Sequence, residues 1–144
     1  MRARDFLKEL RHDEIVCEIR ALEKRTSGEL RVFISRKDIA EPVGEAGKVF
    51  QNLGMDRTRQ RNAVLIFVAP RTHQFAVVGD TGVHAKCGDG FWRELAGAMT
   101  EDFRRAQFTQ GIVQGIRKAG ELLALHFPPE PGDGNQLPDT VAHD

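Results

Sequence analysis

Residues 62–80, NAVLIFVAPRTHQFAVVGD, decide the fold. The run AVLIFVA (63–69) is apolar at every position, which is typical of a strand buried on both faces in the middle of a sheet. A short polar break, PRTH (70–73), separates it from QFAVV (74–78), which is rich in strand-forming residues. The two runs predict a β-hairpin in a mixed sheet, with helices covering both faces of the sheet.

Helical and strand periodicities surround this hairpin. Residues 13–27 place Ile15, Ile19 and Leu22 on one helical face, and ELRVFIS (29–35) alternates like a strand. EPVGEAGKVFQNLG (41–54) predicts a second amphipathic helix, and two more follow, one led by Trp92 and one from about residue 109. The predicted order is α-β-α-β-β-α-α, an α/β fold built as a three-layer α/β/α sandwich with a mixed central sheet.

Composition indicates one domain. The chain has 144 residues, of which 40% are hydrophobic, enough for a single core. We expect this domain to span residues 1–127, because residues 128–144 have the Pro, Gly and acid content of a flexible tail. The tail holds four of the 21 acidic residues and none of the 21 Lys and Arg, so the rest of the chain carries a net charge of +4. That charge is too mild to favour nucleic acid as a partner.

The start of the chain and the cysteines bear on the compartment. MRARDFLKEL (1–10) is charged and lacks the apolar core of a secretory signal, and no run reaches the roughly 18 apolar residues of a membrane span. Cys17 and Cys87 are far apart in the sequence and are expected to be free thiols. We therefore expect a soluble cytoplasmic protein without a membrane span. The sequence leaves the oligomeric state open.

Two Gly-Asp pairs follow the hairpin and suggest a metal site. Asp80 lies where the second hairpin strand ends, and Asp89 precedes the Trp92 helix. Calcium and magnesium prefer several oxygen ligands, so two carboxylates with loop carbonyls and water would suit either ion. The structural alternative is that Asp80 shapes a turn and Asp89 caps a helix. The hairpin would bring Asn62 next to Asp80, whereas the position of Glu29 fits a strand-edge acid and a site carboxylate equally.

Arginines interleave in MDRTRQRN (55–62), just before the central strand. A guanidinium can hold phosphate or carboxylate oxygens with two parallel hydrogen bonds, so Arg57 and Arg61 are the candidate phosphate ligands. A solvated loop is the alternative. The sequence contains no glycine-rich nucleotide fingerprint, GxSxG elbow or EF-hand pattern. It assigns no catalytic residue.

Four stretches together resemble the TPM-domain family. They are LEKRTSGELRVFIS (22–35), NAVLIFVAP (62–70), HQFAVVGDTGVHAKCGDGFW (73–92) and FTQGIVQGI (108–116). The resemblance implies an α/β sandwich. It also brings in the family's activities, because acid phosphatase activity has been proposed for thylakoid-lumen members linked to photosystem II repair and calcium binding is described for bacterial relatives. The positions whose surrounding motifs match are Glu29, Asn62, Asp80 and Asp89.

Three functional hypotheses follow. The first is a module that binds a divalent cation, calcium by preference, or a protein partner, with Asp80, Asp89, Asn62 and Glu29 as metal ligands. The second is a metal-dependent hydrolase of phosphate esters, in which Arg57 or Arg61 holds the phosphate. The third is a scaffold in which the aspartates only shape a turn and cap a helix.

Overall fold

The sheet has four strands and is described by a computed structural model that covers residues 10–88, 90–129, 138 and 140–144. Its strands lie in the spatial order β3-β2-β1-β4. Their bounds are β1 Glu29–Ile34, β2 Ala63–Ala69, β3 Gln74–Gly79 and β4 Ala142–His143. The β1–β2 and β1–β4 pairs are parallel, and β2–β3 is antiparallel. The mixed sheet and its hairpin are therefore confirmed.

The helices surround this sheet. They are α1 His12–Arg25, α2 Pro42–Asn52, α3 Thr81–Cys87, α4 Gly90–Arg104 and α5 Phe108–His126, with short 3-10 turns at Met55–Arg57 and Pro70–Thr72. None of the helices in the described part of the chain combines the length and apolarity required to cross a lipid bilayer.

Two hydrophobic clusters make the three layers. Every residue of β2 is buried, because alternate side chains enter opposite clusters. Val64 and Ile66 join α1, α4 and α5 on one face, whereas Leu65 and Phe67 join α2 on the other. Burial of each such large side chain stabilises the fold by about 1.5–3 kcal/mol. The predicted three-layer α/β/α sandwich is thus confirmed, with a thick helical layer on one face and a single helix on the other.

Two elements differ from the predicted order. Residues 81–87 form α3, where a loop was predicted; Asp80 caps its start and Gly88, with φ of +74°, follows its last residue. These two end signals were present in the sequence, but the helix is too short to show a periodicity. The second addition is β4, which pairs with the free side of β1 at Phe33 and Ile34.

Strand β4 lies in the segment for which the sequence predicts a flexible tail. For residues 142–144 the structure differs from that prediction, because the strand pairs with β1 and the Asp144 carboxylate accepts hydrogen bonds just beyond the end of β1. Ordering these residues costs chain entropy, and the Pro, Gly and acid content of the tail offers little apolar burial to offset that cost. The strand pairing and the hydrogen bonds of Asp144 offset it instead. Residues 130–137 and 139 lie outside the described residues, so over that stretch the flexible tail stays a prediction.

Candidate functional site

Three of the predicted site residues meet at one edge of the sheet. The N–H of Glu29 donates to the carbonyl oxygen of Asn62 (3.3 Å), and the N–H of Asp80 donates to that of Ala63 (3.0 Å). Glu29, Asn62 and Asp80 are 3%, 1% and 5% exposed. We call these three residues the polar edge. Asp89, the fourth predicted ligand, lies outside the described residues.

The register places both buried carboxylates of the polar edge on one face. Glu29 is paired with Ala63, and Ala63 belongs to the cluster on the α2 side of the sheet. On the other side of Ala63, Asp80 continues the alternation that puts Ala76 into the same cluster. Strands lie about 4.8 Å apart, so the Cα atoms of Glu29 and Asp80 are separated by roughly 10 Å. In the strand register, Ala63 lies between Glu29 and Asp80 on this face.

Asp80 is held by three hydrogen bonds. Arg61 donates from Nε to Oδ2 (2.7 Å) and from Nη2 to Oδ1 (2.9 Å), a bidentate ion pair. The N–H of Thr81 also donates to Oδ1 (2.8 Å), which makes Asp80 the N-cap of α3. The hydrogen bonds and the charge of Asp80 raise the pKa of the Arg61 guanidinium. Asp80 therefore caps a helix, a role that the structural alternative gave to Asp89, and it has an arginine partner that sequence reasoning did not connect to it.

The backbone around Arg61 explains why this partner reaches Asp80. Arg61 has a left-handed φ of +52°, and its carbonyl oxygen accepts a hydrogen bond from the N–H of Gly82 (2.9 Å). A Cβ on Gly82 would lie 2.3 Å from the carbonyl oxygen of Gln60 and 2.5 Å from that of Arg61. The Gly82 of GDTG is thus needed for the first turn of α3 to rest on this loop. The Arg61 side chain, 48% exposed, lies across the rim of the polar edge.

In the amide side chain of Asn62, Oδ1 accepts a hydrogen bond, but Nδ2 has no partner among the described residues. The hydroxyl of Thr58 accepts a hydrogen bond from the N–H of Asn62 (3.2 Å) and donates to its Oδ1 (3.4 Å). The Asn62 Nδ2 atom is buried and has no hydrogen-bond partner among the described residues. Thr58 is only 4% exposed and was missed by sequence reasoning. Its hydroxyl, four residues before Asn62, was the signal that could have identified it as a hydrogen-bond partner.

The two predicted phosphate-binding arginines are in different situations. Arg57 ends a 3-10 turn and is exposed. The guanidinium of Arg61 already holds a carboxylate. A phosphate that uses the Nε and Nη2 donors of Arg61 must first displace Asp80.

In the stretch HAKC (84–87), His84 is hydrogen-bonded and Cys87 is partly buried. Trp92 donates from Nε1 to Nδ1 of His84 (3.1 Å), and its ring covers Gly79, where a Cβ would lie 2.0 Å from the ring. Burial raises the pKa of the partly buried Cys87 thiol, which opposes thiolate formation. No group of three His, Cys, Asp or Glu side chains that could hold a metal occurs among the residues the structure describes.

Comparisons with known proteins agree with this architecture. The family model described as the TPM domain matches residues 2–122. The NMR structure of the BA42 protein from the psychrophilic bacterium Bizionia argentinensis is similar, with 39% identity, a TM-score of 0.87, and 94% of this chain and 96% of that one covered. The comparison with curated proteins gave no match.

Two more distant structures share the fold alone. One is the N-terminal domain of a P. gingivalis protein, with 18% identity, a TM-score of 0.64, and 77% of this chain and 72% of that one covered. The other is the N-terminal domain of a Corynebacterium glutamicum protein, with 16% identity, a TM-score of 0.62, and 77% and 70% covered.

Proposed function

The chain belongs to the TPM-domain family, and on that premise we propose that it is a divalent-cation-binding module, with calcium as the expected ion. The ligands in this proposal are Glu29, Asn62 and Asp80 at the polar edge, together with Asp89. The ion would fix residues 79–90 and so present a defined surface to a protein partner. Magnesium is the second ion to consider, because it prefers the same oxygen ligands.

One observation carries the proposal: two carboxylates, less than a tenth exposed, flank Ala63 on the same face of the sheet. Burial of a carboxylate costs free energy unless positive charge or hydrogen bonds compensate it. A divalent cation compensates two carboxylates at once, and the reach of the Glu and Asp side chains across the methyl group of Ala63 supports a shared ion.

The Arg61 guanidinium is the internal competitor of that ion. It supplies the positive charge at Asp80 in the structure. Because its side chain is 48% exposed, it can leave Asp80 for water without being buried elsewhere. Cation binding in this proposal therefore exchanges a guanidinium for a metal ion, which predicts weak binding in the wild type and tighter binding in Arg61→Gln.

The amide of Asn62 can adapt to a cation. Rotation of the amide by half a turn would let Nδ2 donate to the Thr58 hydroxyl and would turn Oδ1 towards the place that Nδ2 now occupies. A buried nitrogen that lacks a partner among the described residues would then be hydrogen-bonded, and Oδ1 would be released from the Thr58 hydroxyl and available to a cation. Asn62→Ala should therefore weaken cation binding.

The test is a calcium titration, followed by magnesium, of ¹⁵N-labelled protein with backbone amide shifts as the readout. Saturable shifts at 79–90 and around Asn62 are expected in the wild type. Asp80→Asn should abolish them, since Asn retains the capping function but not the charge. Asp38→Asn, which removes an exposed acid elsewhere, is the control and should leave them unchanged. Absence of shifts at millimolar calcium in both the wild type and Arg61→Gln would refute the proposal.

The alternative is a hydrolase of phosphate esters at the same edge. The observation in its favour is a half-exposed guanidinium next to a buried carboxylate, a pair that could bind phosphate oxygens and a metal once separated. Release of phosphate from p-nitrophenyl phosphate, abolished by Asp80→Asn in protein of verified purity, would support it. Activity that survives the substitution would come from another site or a contaminant.

A further inference from the structure

A carboxylate is bound at the opposite end of β1, outside the polar edge. The Ser35 hydroxyl donates to Oδ2 of Asp144 (2.6 Å), and the N–H of Arg36 donates to Oδ1 (2.7 Å). The Nε atom of Arg36 is 3.6 Å from Oδ1. We call the Ser35 hydroxyl, the Arg36 N–H and the Arg36 guanidinium the oxyanion cradle.

The cradle is organised for an anion. Ser35 is only 1% exposed, and its Oγ accepts a hydrogen bond from the N–H of Lys37 (3.3 Å), which leaves the hydroxyl proton for the carboxylate. Burial alone would raise the pKa of Asp144. The Ser35 and Arg36 hydrogen bonds and the charges of Lys37 and Arg36 outweigh burial and lower that pKa. The cradle therefore stabilises negative charge.

A cavity of about 280 Å³ adjoins the cradle and includes Ser35 and Asp144 in its lining. Phe33 and Phe67, stacked with ring centroids 5.8 Å apart, contribute apolar surface on the α2 side of the sheet. Lys37, Lys48 and Glu45 also line the cavity, and Lys48 pairs with Glu45 (3.5 Å), so Lys37 adds the uncompensated positive charge among these three. The cavity lies between α2 and the sheet, near the carboxyl end of β1, and open α/β sheets bind ligands at the carboxyl ends of their parallel strands.

We propose that this cavity binds a small organic anion with an apolar body, either a carboxylate or a phosphate monoester, whose oxygens take the position of the Asp144 carboxylate in the oxyanion cradle. The apolar body would contact Phe33 and Phe67, and Lys37 would add attraction at long range. Asp144 is then an internal competitor. It is displaceable because β4 pairs with β1 over two residues only.

This site is independent of the proposed cation site. It lies at the other end of β1 and uses donors, whereas the polar edge presents acceptors. Failure of either proposal would leave the other standing, because their titrations perturb different amides.

The test is a titration of ¹⁵N-labelled protein with hexanoate and, separately, hexyl phosphate. Both probes should shift the amides of residues 35–37 and 49–53. Asp144→Ala vacates the cradle and should bind the probes about tenfold more tightly. Asp38→Ala removes an exposed acid that pairs with Arg71 near the same end of the sheet, so it is the charge-matched control and should leave affinity nearly unchanged. Adding Ser35→Ala to Asp144→Ala should reverse the gain.

The two probes separate the two ligand classes. Binding of hexanoate alone would assign the site to carboxylates, and binding of hexyl phosphate alone would assign it to phosphate monoesters. An equal gain in Asp38→Ala and Asp144→Ala, or no shift at residues 35–37 with either probe at millimolar concentration in Asp144→Ala, would overturn the proposal. Should Asp144→Ala fail to fold, the Asp144 carboxyl signal of the wild type decides: probe binding must return its lowered pKa to the ordinary range.

Discussion

At each end of β1 a carboxylate is paired with hydrogen-bond donors, but the part that belongs to the sheet is the carboxylate at one end and the donors at the other. At the polar edge, the carboxylates of Glu29 and Asp80 are buried in the sheet, and a half-exposed guanidinium comes from a loop. At the oxyanion cradle, the donors of Ser35 and Arg36 belong to the end of the strand, and the carboxylate comes from far along the chain. The charge of the buried groups at each end of β1 determines whether that end attracts a cation or an anion. We therefore expect a cation at the polar edge and an anion at the oxyanion cradle.

The difference has a backbone origin. At the polar edge, the N–H groups of Glu29 and Asp80 donate to the carbonyl oxygens of Asn62 and Ala63, so the acidic side chains dominate the local charge. Beyond Ile34, the N–H groups of Arg36 and Lys37 are directed to the Asp144 carboxylate and the Ser35 hydroxyl instead. The N–H of Arg36 and the hydroxyl of Ser35 both donate to the carboxylate, so hydrogen-bond donors dominate the local charge at this end.

Gly82→Ala should have the largest effect, and only at the polar edge. Its new Cβ would lie 2.3 and 2.5 Å from backbone carbonyl oxygens that cannot rotate away, so the loop before β2 must shift. We expect a loss of about 2–3 kcal/mol in the free energy of unfolding, measured with urea. Gly97→Ala in α4, where a Cβ would meet nothing within 4 Å, is the control and should stabilise by roughly 1 kcal/mol. Equal stabilities for the two variants would contradict the packing role of Gly82.

The oxyanion cradle is tested by a double-mutant cycle of Ser35→Ala and Asp144→Ala. Each single change should lower the free energy of unfolding by about 1–2 kcal/mol, because a hydrogen bond to a partly buried charged group is lost. The double variant should cost less than the sum, with a coupling energy of about 1 kcal/mol. Strict additivity would show that the Ser35–Asp144 bond does not stabilise the fold in solution.

Asp80→Ala should destabilise less, because Asp80 caps only a seven-residue helix. We expect a loss of about 1 kcal/mol, since Ala cannot accept the hydrogen bond from the N–H of Thr81. Asp80→Asn is the matched variant and should retain most of the stability, because Asn is an equally good cap. An equal loss in Asp80→Asn and Asp80→Ala would mean that the charge of Asp80, which both variants remove, matters more than its cap.

The smallest effect is a pH dependence confined to the oxyanion cradle. Because the pKa of Asp144 is lowered from its ordinary 3.8, its contribution to stability is complete above that value and is lost as the pH falls through the lower folded pKa. Amide exchange at Ala142 and His143 should therefore accelerate only at strongly acidic pH. Asp144→Asn retains His143 and the cationic Arg36 and Lys37, so it should lack this step. A step of the same size in Asp144→Asn would assign the dependence to another group.

The sequence by itself determined the three longer strands of the sheet, the helices on both faces and the placement of Asn62 and Asp80 at the same sheet edge. These features depend on short-range periods: the unbroken apolar run at 63–69 required burial on both sides, and a four-residue break forced the hairpin that joins the two polar residues. The helix α3 escaped prediction because seven residues are too few for a periodicity, although Asp80 and Gly88 marked its ends.

Only the tertiary structure decided the partners of the charged groups. Sequence reasoning gave Arg61 to a phosphate, but a left-handed turn at this residue directs it to Asp80. No signal in the sequence linked Ser35 and Arg36 to Asp144, because Ser35 is separated from Asp144 by 109 positions. A local period fixes which face of an element a residue occupies. The partner of a long charged side chain depends on the path of the loops and the order of the strands, which are properties of the whole packed chain.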